Sequence, residues 1–260
     1  MVTPAPADRD RPPDWRPEIT RDHLLAGRVA LSQPKHGYRA AVDPVLLAAS
    51  LPVQPGEHAL ELGCGAGAAA LCLLSRVPEA RLTGLEREPA LARLARDNAA
   101  ANAAAGRFQV SEGDLLDPPA AVAGGGFDHA FANPPYLAAG TVDAPADPLR
   151  AAANVEGAAR LPDWIAALAQ ATRRGGTLTV IHRADRLPDV LAEMDRVAGQ
   201  LVAYPLWPAA GKPAKRVLVQ GRAGVGGPAQ LAAGLTLHAD GGFTPAARAV
   251  LEDAAPLALR

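Results

Sequence analysis

The chain is poor in cysteine, and it lacks long apolar runs. Its two cysteines, Cys64 and Cys72, are too few for a disulfide framework and are not spaced as metal ligands. No apolar run approaches the ~18 residues that a membrane span needs, and the N-terminus has no apolar signal core. We therefore expect a cytoplasmic protein without a metal or a membrane partner, and we take a monomer as the default.

Aromatic residues make up only 4% of the chain and lysine occurs three times, so arginine carries most of the positive charge. The net charge of −1 argues against binding nucleic acid through overall charge. Basic residues are nevertheless concentrated: Arg173 to Arg222 holds nine Arg or Lys and four Asp or Glu, whereas Ala101 to Glu156 holds two and seven. The C-terminal third is therefore the candidate for phosphate contact, although a solvated surface is the commoner fate of such charges.

From about residue 58, short β-like runs alternate with helical stretches, which predicts a parallel sheet with helices on both faces. A later Pro/Gly-rich connector joins two strand-like runs, which predicts an antiparallel C-terminal pair. The predicted strands are His58–Leu62, Arg81–Glu86, Arg107–Glu112, Phe127–Ala132, Thr177–His182, Leu201–Leu206 and Arg216–Gln220. The predicted helices are Ala68–Val77, Glu88–Ala104 and Leu161–Thr172.

The chain divides into four predicted parts. Residues 1–18 are rich in proline and predict a disordered tail. Residues 19–55 form a lead-in or lid segment, residues 56–222 the main domain, and residues 223–260 an extension packed on that domain.

The most informative motif is Asn133-Pro134-Pro135-Tyr136 at the end of a predicted strand. Neither proline has a backbone N–H to continue a ladder, so the corner is rigid and presents carbonyl acceptors. The Asn133 side-chain oxygen and the Pro134 carbonyl are suited to accept both hydrogens of one planar amino group, and the Tyr136 ring to stack on its π system. We predict Asn133, Pro134, Pro135 and Tyr136 as catalytic. An ordinary Asn-Pro turn is the alternative.

A second motif, Glu61-Leu62-Gly63-Cys64-Gly65-Ala66-Gly67, lies where the first strand of the main domain turns into a helix. Its glycines let the backbone approach a ligand at the carboxyl edge of the sheet. Glu86, at the end of the next strand, is placed to hold a ribose. These features also satisfy a dinucleotide-binding fingerprint. Two further features favour a different cofactor over a dinucleotide. Asp114, after the third strand, is placed to accept a hydrogen bond from an adenine amino group, and the Leu115 N–H is available to a ring nitrogen. A nicotinamide enzyme has no obvious use for the Asn-Pro-Pro-Tyr corner.

Taken as a set, these motifs resemble the class I S-adenosylmethionine-dependent methyltransferases that act on amino groups conjugated to a π system. The resemblance implies a Rossmann-like α/β fold with a mostly parallel seven-stranded sheet and an antiparallel C-terminal pair. It implies S-adenosylmethionine as cofactor, with the methionine part near Gly63, Cys64 and Gly65, the ribose at Glu86, and the adenine at Asp114 and Leu115. Glu61 would orient the glycine loop or the methionine ammonium, or would cap the next helix.

The segment from Leu31 to Ala49 resembles the bacterial valine-tRNA adenine-N6 methyltransferase family, in which a Gln-Pro-x-x-Gly-[FY]-Arg turn and an Asp lead into a helix. The resemblance implies cofactor or lid contacts for Gln33, Tyr38, Arg39 and Asp43, with a local Arg39–Asp43 pair as the alternative. Segments around Trp164, Ile181 to Leu187 and Gly211 to Val219 extend it. Trp164 and Trp207 are assigned to packing, and candidate RNA contacts are Lys35, Lys212, Lys215 and Arg216, or else a basic hairpin rim.

Three functions remain open from the sequence. The first is methylation of adenine N6 in tRNA, which makes tRNA the expected partner. The second is methylation of a glutamine amide in a protein such as a release factor. Relatives of that kind carry an N-terminal helical substrate domain, for which the roughly forty residues before Asp43 leave no room, and this favours RNA. The third is a catalytically silent cofactor-binding or RNA-binding module.

Overall fold

The computed structural model of the protein describes residues 17–36, 39–136 and 158–260. The prediction for Tyr38 and most of the predicted tail, residues 1–16, lie outside the described residues. None of the described helices has the length and apolar character needed to cross a membrane.

The described residues contain strands and helices whose bounds are as follows. The strands are β1 (Ile19–Leu24), β2 (Val29–Pro34), β3 (His58–Leu62), β4 (Arg81–Glu86), β5 (Phe108–Glu112), β6 (Phe127–Ala132), β7 (Thr172–Arg183), β8 (Ala198–Ala209), β9 (Arg216–Ala223), β10 (Gln230–Leu231), β11 (Leu235–Ala239) and β12 (Gly242–Phe243). The helices are α1 (Val42–Ser50), α2 (Ala68–Arg76), α3 (Pro89–Ala101), α4 (Ala120–Ala123), α5 (Leu161–Ala171), α6 (Leu187–Asp195) and α7 (Pro245–Leu251).

The main sheet has the strand order β12-β11-β8-β9-β7-β6-β3-β4-β5, and β10 adds to β8. Strands β5, β4, β3, β6 and β7 are parallel, while β9 runs antiparallel to both β7 and β8. The order reverses between β3 and β6, and ligands of open parallel sheets bind at the carboxyl edge beside such a reversal. The predicted α/β fold class is confirmed, and the short strands β10, β11 and β12 extend the predicted seven-stranded sheet.

The core lies on both faces of this sheet because neighbouring strand residues point to opposite sides. Ala59 and Phe131 pack into one hydrophobic cluster, which includes buried residues of α1 and α2. Leu60 and Ala130 pack into the other cluster, which includes buried residues of α5 and α6. This two-sided burial explains why the central strands are almost continuously apolar.

The lead-in segment forms a separate β1–β2 hairpin, which is fastened to the main domain through α3. The buried Asn98 side chain accepts a hydrogen bond from Ser32 N at 2.9 Å and donates to Ser32 O at 2.8 Å. The same amide donates to Ala66 O in the glycine loop at 2.9 Å. Asn102 exchanges two further hydrogen bonds with the backbone of Ala30. The hairpin is therefore fixed beside the loop that follows β3.

Candidate functional site

The glycine loop after β3 is pinned to β4 by its backbone. The N–H groups of Gly63 and Cys64 both donate to Leu85 O, at 2.8 and 3.0 Å. Gly63 has φ +67°, and a Cβ atom built there would come within 2.7 Å of the Trp164 ring. Only glycine satisfies both conditions without strain. The loop therefore packs its bare backbone at Gly63 against the Trp164 ring of α5.

Two buried carboxylates end β3 and β4 beside this loop. Glu61 Oε2 accepts a hydrogen bond from Ala70 N at 3.1 Å, which ties β3 to the first turn of α2 as the helix-capping alternative expected. Glu86 accepts from Gly65 N and from Glu88 N, both at 2.8 Å. Burial raises the pKa of Glu86, and it raises the pKa of Glu61 well above its ordinary value. Both carboxylates line the same pocket as the loop.

Asp114 and Leu115 close the pocket beyond β5. Asp114 Oδ1 accepts a hydrogen bond from Leu116 N at 2.9 Å, and its Oδ2 lies 3.9 Å from the Arg87 guanidinium. The side chain is about one third exposed, at 36%. A partly exposed carboxylate held in this way is suited to accept a hydrogen bond from an amino group of a ligand.

The Asn-Pro-Pro-Tyr corner directly follows β6 and forms the opposite wall of the pocket. Pro134 is buried, whereas Asn133, Pro135 and Tyr136 are partly exposed. The Tyr136 hydroxyl donates to Asp43 Oδ2 at 2.8 Å. The corner thus shares one cleft with the glycine loop and with Glu86.

Arg216 lies behind Tyr136 at the start of β9. Its guanidinium carbon is 4.4 Å from the centre of the Tyr136 ring, and its Nε donates to Asp43 Oδ2 at 2.9 Å. Arg216 therefore has two partners inside the fold, the Asp43 carboxylate and the Tyr136 ring. Besides its candidate role in contacting RNA at the rim, it has a structural role in holding these two residues together. The Arg39–Asp43 pair, which was the alternative to cofactor or lid contacts, is not formed: Arg39 pairs with Asp22 at 2.9 Å and Asp43 with Arg216.

The buried ring of His182 lies on the other boundary of this corner, 5.5 Å from the Tyr136 ring and at an interplanar angle of 70°. Burial, together with the nearby Arg186 and Arg216, lowers the pKa of His182 to about 4. The imidazole is therefore neutral at physiological pH.

Most of the predicted site residues meet in this single pocket. Those that line it are Gln33, Glu61, Gly63, Cys64, Gly65, Glu86, Asp114, Leu115, Asn133, Pro134, Pro135 and Tyr136. Gln33 is itself buried, and its amide accepts from Ala40 N at 2.8 Å and donates to Asp22 at 3.0 Å. Arg39 and Asp43 make their contacts outside the lining, with Asp22 and with Tyr136 and Arg216 respectively.

The remaining predicted RNA contacts lie on the rim. Lys212 and Lys215 are exposed in the β8–β9 turn, next to Arg216 and to the end of β7, so they face the same edge of the sheet as the pocket. Lys35 donates to Glu18 at 2.9 Å and forms an exposed ion pair. Lys212 and Lys215 take part in no ion pair among the described residues.

Trp164 belongs to the pocket, although its sequence context predicted only packing. It lies on α5, which is far from the glycine loop in sequence, and its ring covers Gly63. Its position inside the predicted helix Leu161–Thr172 gave no direct signal of this contact. A tryptophan facing the loop of a neighbouring strand is visible only once the packing of α5 on β3 and β6 is known.

The described residues therefore form a cleft with one wall of bare backbone and carboxylates and one wall of acceptors and an aromatic ring. The first wall suits a ligand with hydroxyl, amino and ammonium groups, and at Gly65 a Cβ atom would project into open space. The second wall suits a planar amino group. Such a cleft has the groups to bind two different molecules side by side.

Residues 40–155 match the model of the methyltransferase small domain. A tRNA1(Val) (adenine(37)-N6)-methyltransferase of Aeromonas hydrophila is 32% identical over 187 residues, which cover 70% of this chain and 75% of the relative. The enzyme of the same name from Porphyromonas gingivalis is 33% identical over 169 residues, or 63% of this chain. This match spans 66% of the length of the Porphyromonas relative, slightly less than two thirds.

A solved structure from Agrobacterium tumefaciens, described as a predicted O-methyltransferase, has the same architecture. The two chains superpose with a TM-score of 0.67 and are 28% identical, and the match covers 83% of this chain and 98% of the other. The names of the relatives thus differ in the atom that receives the methyl group.

Proposed function

Since this chain belongs to the family of S-adenosylmethionine-dependent methyltransferases that includes the tRNA1(Val) (adenine(37)-N6)-methyltransferases, we propose that it methylates the N6 amino group of an adenine in tRNA. The proposal has two parts, a cofactor site and a target site. We also propose that the protein acts in the cytoplasm, because both of its cysteines are free and buried.

The residues of the glycine-loop wall fit the cofactor. Gly63, Cys64 and Gly65 offer close backbone approach to its methionine part, beside the Glu61 carboxylate. Glu86 would accept hydrogen bonds from the ribose hydroxyls, and Asp114 would accept from the adenine amino group. S-adenosylmethionine supplies a methyl group on a sulfonium centre, which is electrophilic. Gly65 supports this assignment, since it lines the cleft and a Cβ atom there would meet nothing within 4 Å, so its backbone is open to a ligand.

The observation that carries the proposal is that Asn133 and Pro134 line the same cleft as Glu86 and Asp114. The side-chain oxygen of Asn133 and the carbonyl of Pro134 would accept the two hydrogens of the target amino group. These bonds favour a more tetrahedral nitrogen, whose lone pair is then available to form the new N–C bond. As that bond forms, the methyl–sulfur bond would break to leave a neutral thioether, and the methylated amino group would release one proton to solvent. The rate advantage would come mostly from positioning, without a strong base.

This wall also favours nitrogen over oxygen as the acceptor atom. A hydroxyl group carries one hydrogen and would leave one of the two acceptors unused. An adenine carries such an amino group on a ring that can stack beside Tyr136, and it would enter unstacked from its RNA. The exposed Lys212 and Lys215 on the same edge would contact phosphates.

The test is incubation of the purified protein with methyl-labelled S-adenosylmethionine and separate tRNA and protein fractions from a strain that lacks the gene. We expect label in tRNA, recovered as N6-methyladenosine on digestion and mass spectrometry. Asn133→Ala should retain cofactor affinity in calorimetry and lose at least ~10²-fold in methyl transfer. Label confined to protein would favour a glutamine amide as target, and unchanged turnover in Asn133→Ala would overturn the mechanism.

A further inference from the structure

Tyr136 is held by groups from two distant segments of the chain. Its hydroxyl donates to Asp43 of α1 at 2.8 Å, and its ring lies 4.4 Å from the Arg216 guanidinium of β9. Asp43 is 93 residues away in sequence and Arg216 is beyond β7 and β8. The Tyr136 ring is therefore held by one residue that precedes it in the chain and by one that follows it.

Asp43 and Arg216 are also bound to each other, at 2.9 Å, with side chains exposed by only 18% and 32%. The same oxygen, Asp43 Oδ2, accepts from the phenol and from the guanidinium. Charge-assisted hydrogen bonds in such a half-buried setting are stronger and more directional than surface pairs. The three side chains consequently form one connected unit rather than three independent contacts.

Tyr136 lines the cleft, whereas Asp43 and Arg216 lie outside its lining. A change at either residue should therefore reach the target site through the tyrosine ring and leave the glycine-loop wall in place. Phenylalanine at position 136 would keep the contact between the guanidinium and the ring and lose the bond to Asp43. The hydroxyl thus has a structural use in this chain that a phenylalanine in the same motif position does not provide.

We propose that Asp43 and Arg216 are positioning residues that fix the Tyr136 ring for the target base, and that the tyrosine hydroxyl is the link through which Asp43 acts. The inference rests on the proposed function for its kinetic consequence and on the described contacts for its structural one. It assigns the lead-in helix and the first residue of β9 to the target site rather than to the cofactor site.

The kinetic test compares methyl transfer to tRNA by four proteins: wild type, Asp43→Ala, Tyr136→Phe and the double variant. We expect Asp43→Ala to lower kcat/KM at least ~10-fold, because misplacing a reacting partner is costly, with the cofactor Kd changed less than about twofold. In the Tyr136→Phe background the same change should cost less than in the wild type, since the hydroxyl link is already lost and only the route through Arg216 remains. Equal losses in both backgrounds would overturn the proposal.

Rescue and control variants separate positioning from general stability. Asp43→Asn keeps an acceptor for the phenol and should retain more activity than Asp43→Ala. Arg216→Met should lower kcat/KM with little effect on cofactor Kd. Arg173→Met removes the guanidinium of an Arg–Asp pair at the opposite edge of the sheet, where Arg173 bonds Asp128 at 2.7 Å, and should leave kcat/KM unchanged. Equal activity of Asp43→Asn and Asp43→Ala would count against the hydroxyl link.

A structural readout is independent of the substrate. The chain has three tyrosines, so ring-labelled protein gives few NMR signals, and Tyr136→Phe assigns the relevant one. We expect both Asp43→Ala and Arg216→Met to move the Tyr136 ring signal toward that of a free tyrosine, with the Tyr204 signal as an internal control. An unmoved signal would overturn the proposal even where RNA methylation is observed. A moved signal without any RNA methylation by the wild type would remove the proposed function and keep the positioning unit.

Discussion

The ring of Trp164 lies across the backbone of Gly63, so that a Cβ atom at Gly63 would approach Trp164 Cη2 to 2.7 Å. The contact joins α5 to the glycine loop after β3, at the point where the loop leaves the sheet. The contact with Trp164 fixes the position of the loop relative to α5. The contact therefore makes the loop sensitive to the smallest side-chain addition.

We expect Gly63→Ala to weaken S-adenosylmethionine binding at least ~10-fold, because the ring or the loop must shift and the φ of +67° is unfavourable for alanine. Calorimetric titration measures the effect. Gly56→Ala is the matched control: its φ is +86° and its Cβ would meet nothing within 4 Å, so it reports the backbone strain alone. A Gly63→Ala protein with wild-type affinity would contradict the assignment of this loop to the cofactor.

Glu86→Ala should weaken cofactor binding by ~1–3 kcal/mol, because it removes the acceptor for Gly65 N and Glu88 N as well as the proposed ribose contact. Glu86→Gln keeps one carbonyl acceptor and should lose less. Glu112 is paired with Glu86 in register on β5, but it is exposed and bonds Arg96, which makes Glu112→Ala the control. Similar losses in Glu86→Ala and Glu112→Ala would refute a specific role for Glu86.

The rim lysines should matter for RNA and not for the cofactor. We expect the charge reversal Lys212→Glu with Lys215→Glu to weaken tRNA binding and to reduce its salt dependence by up to two phosphate contacts. Filter binding over a range of salt concentrations measures both. Arg174 and Arg222 are exposed near the start of β7 and the end of β9, at the opposite edge, and reversing both makes the same charge change. Equal effects of the two pairs would show that only overall charge is involved.

His182 predicts a loss of stability in acid. Burial holds its pKa at about 4 in the folded protein, below the ordinary value of 6.5, so the unfolded chain takes up a proton first as the pH falls. The stability that the neutral ring contributes is complete above pH 6.5 and is lost between pH 6.5 and 4, by up to about 3 kcal/mol. Urea unfolding at pH 7 and pH 4.5 measures it.

His182→Leu should show a smaller difference in unfolding free energy between the two pH values than the wild type does. His23→Gln, at an exposed histidine of β1, is the control for removal of a histidine as such. An unchanged pH dependence in His182→Leu would show that other groups cause the acid loss.

The fold was predictable because its signals are local. The strands His58–Leu62 and Arg81–Glu86 and the strand before Asn133 were predicted with the observed bounds, since apolar runs and glycine turns mark them in sequence. The pocket lining was largely predictable for a related reason: the carboxyl ends of parallel strands share one edge, so Glu61, Glu86, Asp114 and Asn133 had to converge.

The unpredicted parts depend on packing between distant segments. Arg216 was read as a rim cation, and its ring contact with Tyr136 arises only because β9 inserts antiparallel beside β7. The alternative for Asp43, a pair with Arg39, rests on their closeness in the chain, whereas the fold gives each a partner from another element. Local spacing carries no information on which of several long-range ion pairs will form.

The three hydrogen bonds of Asn98 restrict the movements by which a cofactor could enter or leave the cleft. One buried amide grips the hairpin strand β2 at Ser32 and the glycine loop at Ala66 together. An outward movement of the β1–β2 hairpin would leave these buried polar groups without hydrogen-bond partners, which costs free energy. That side of the cleft is therefore a fixed wall, and we expect the cofactor to exchange past another part of the rim.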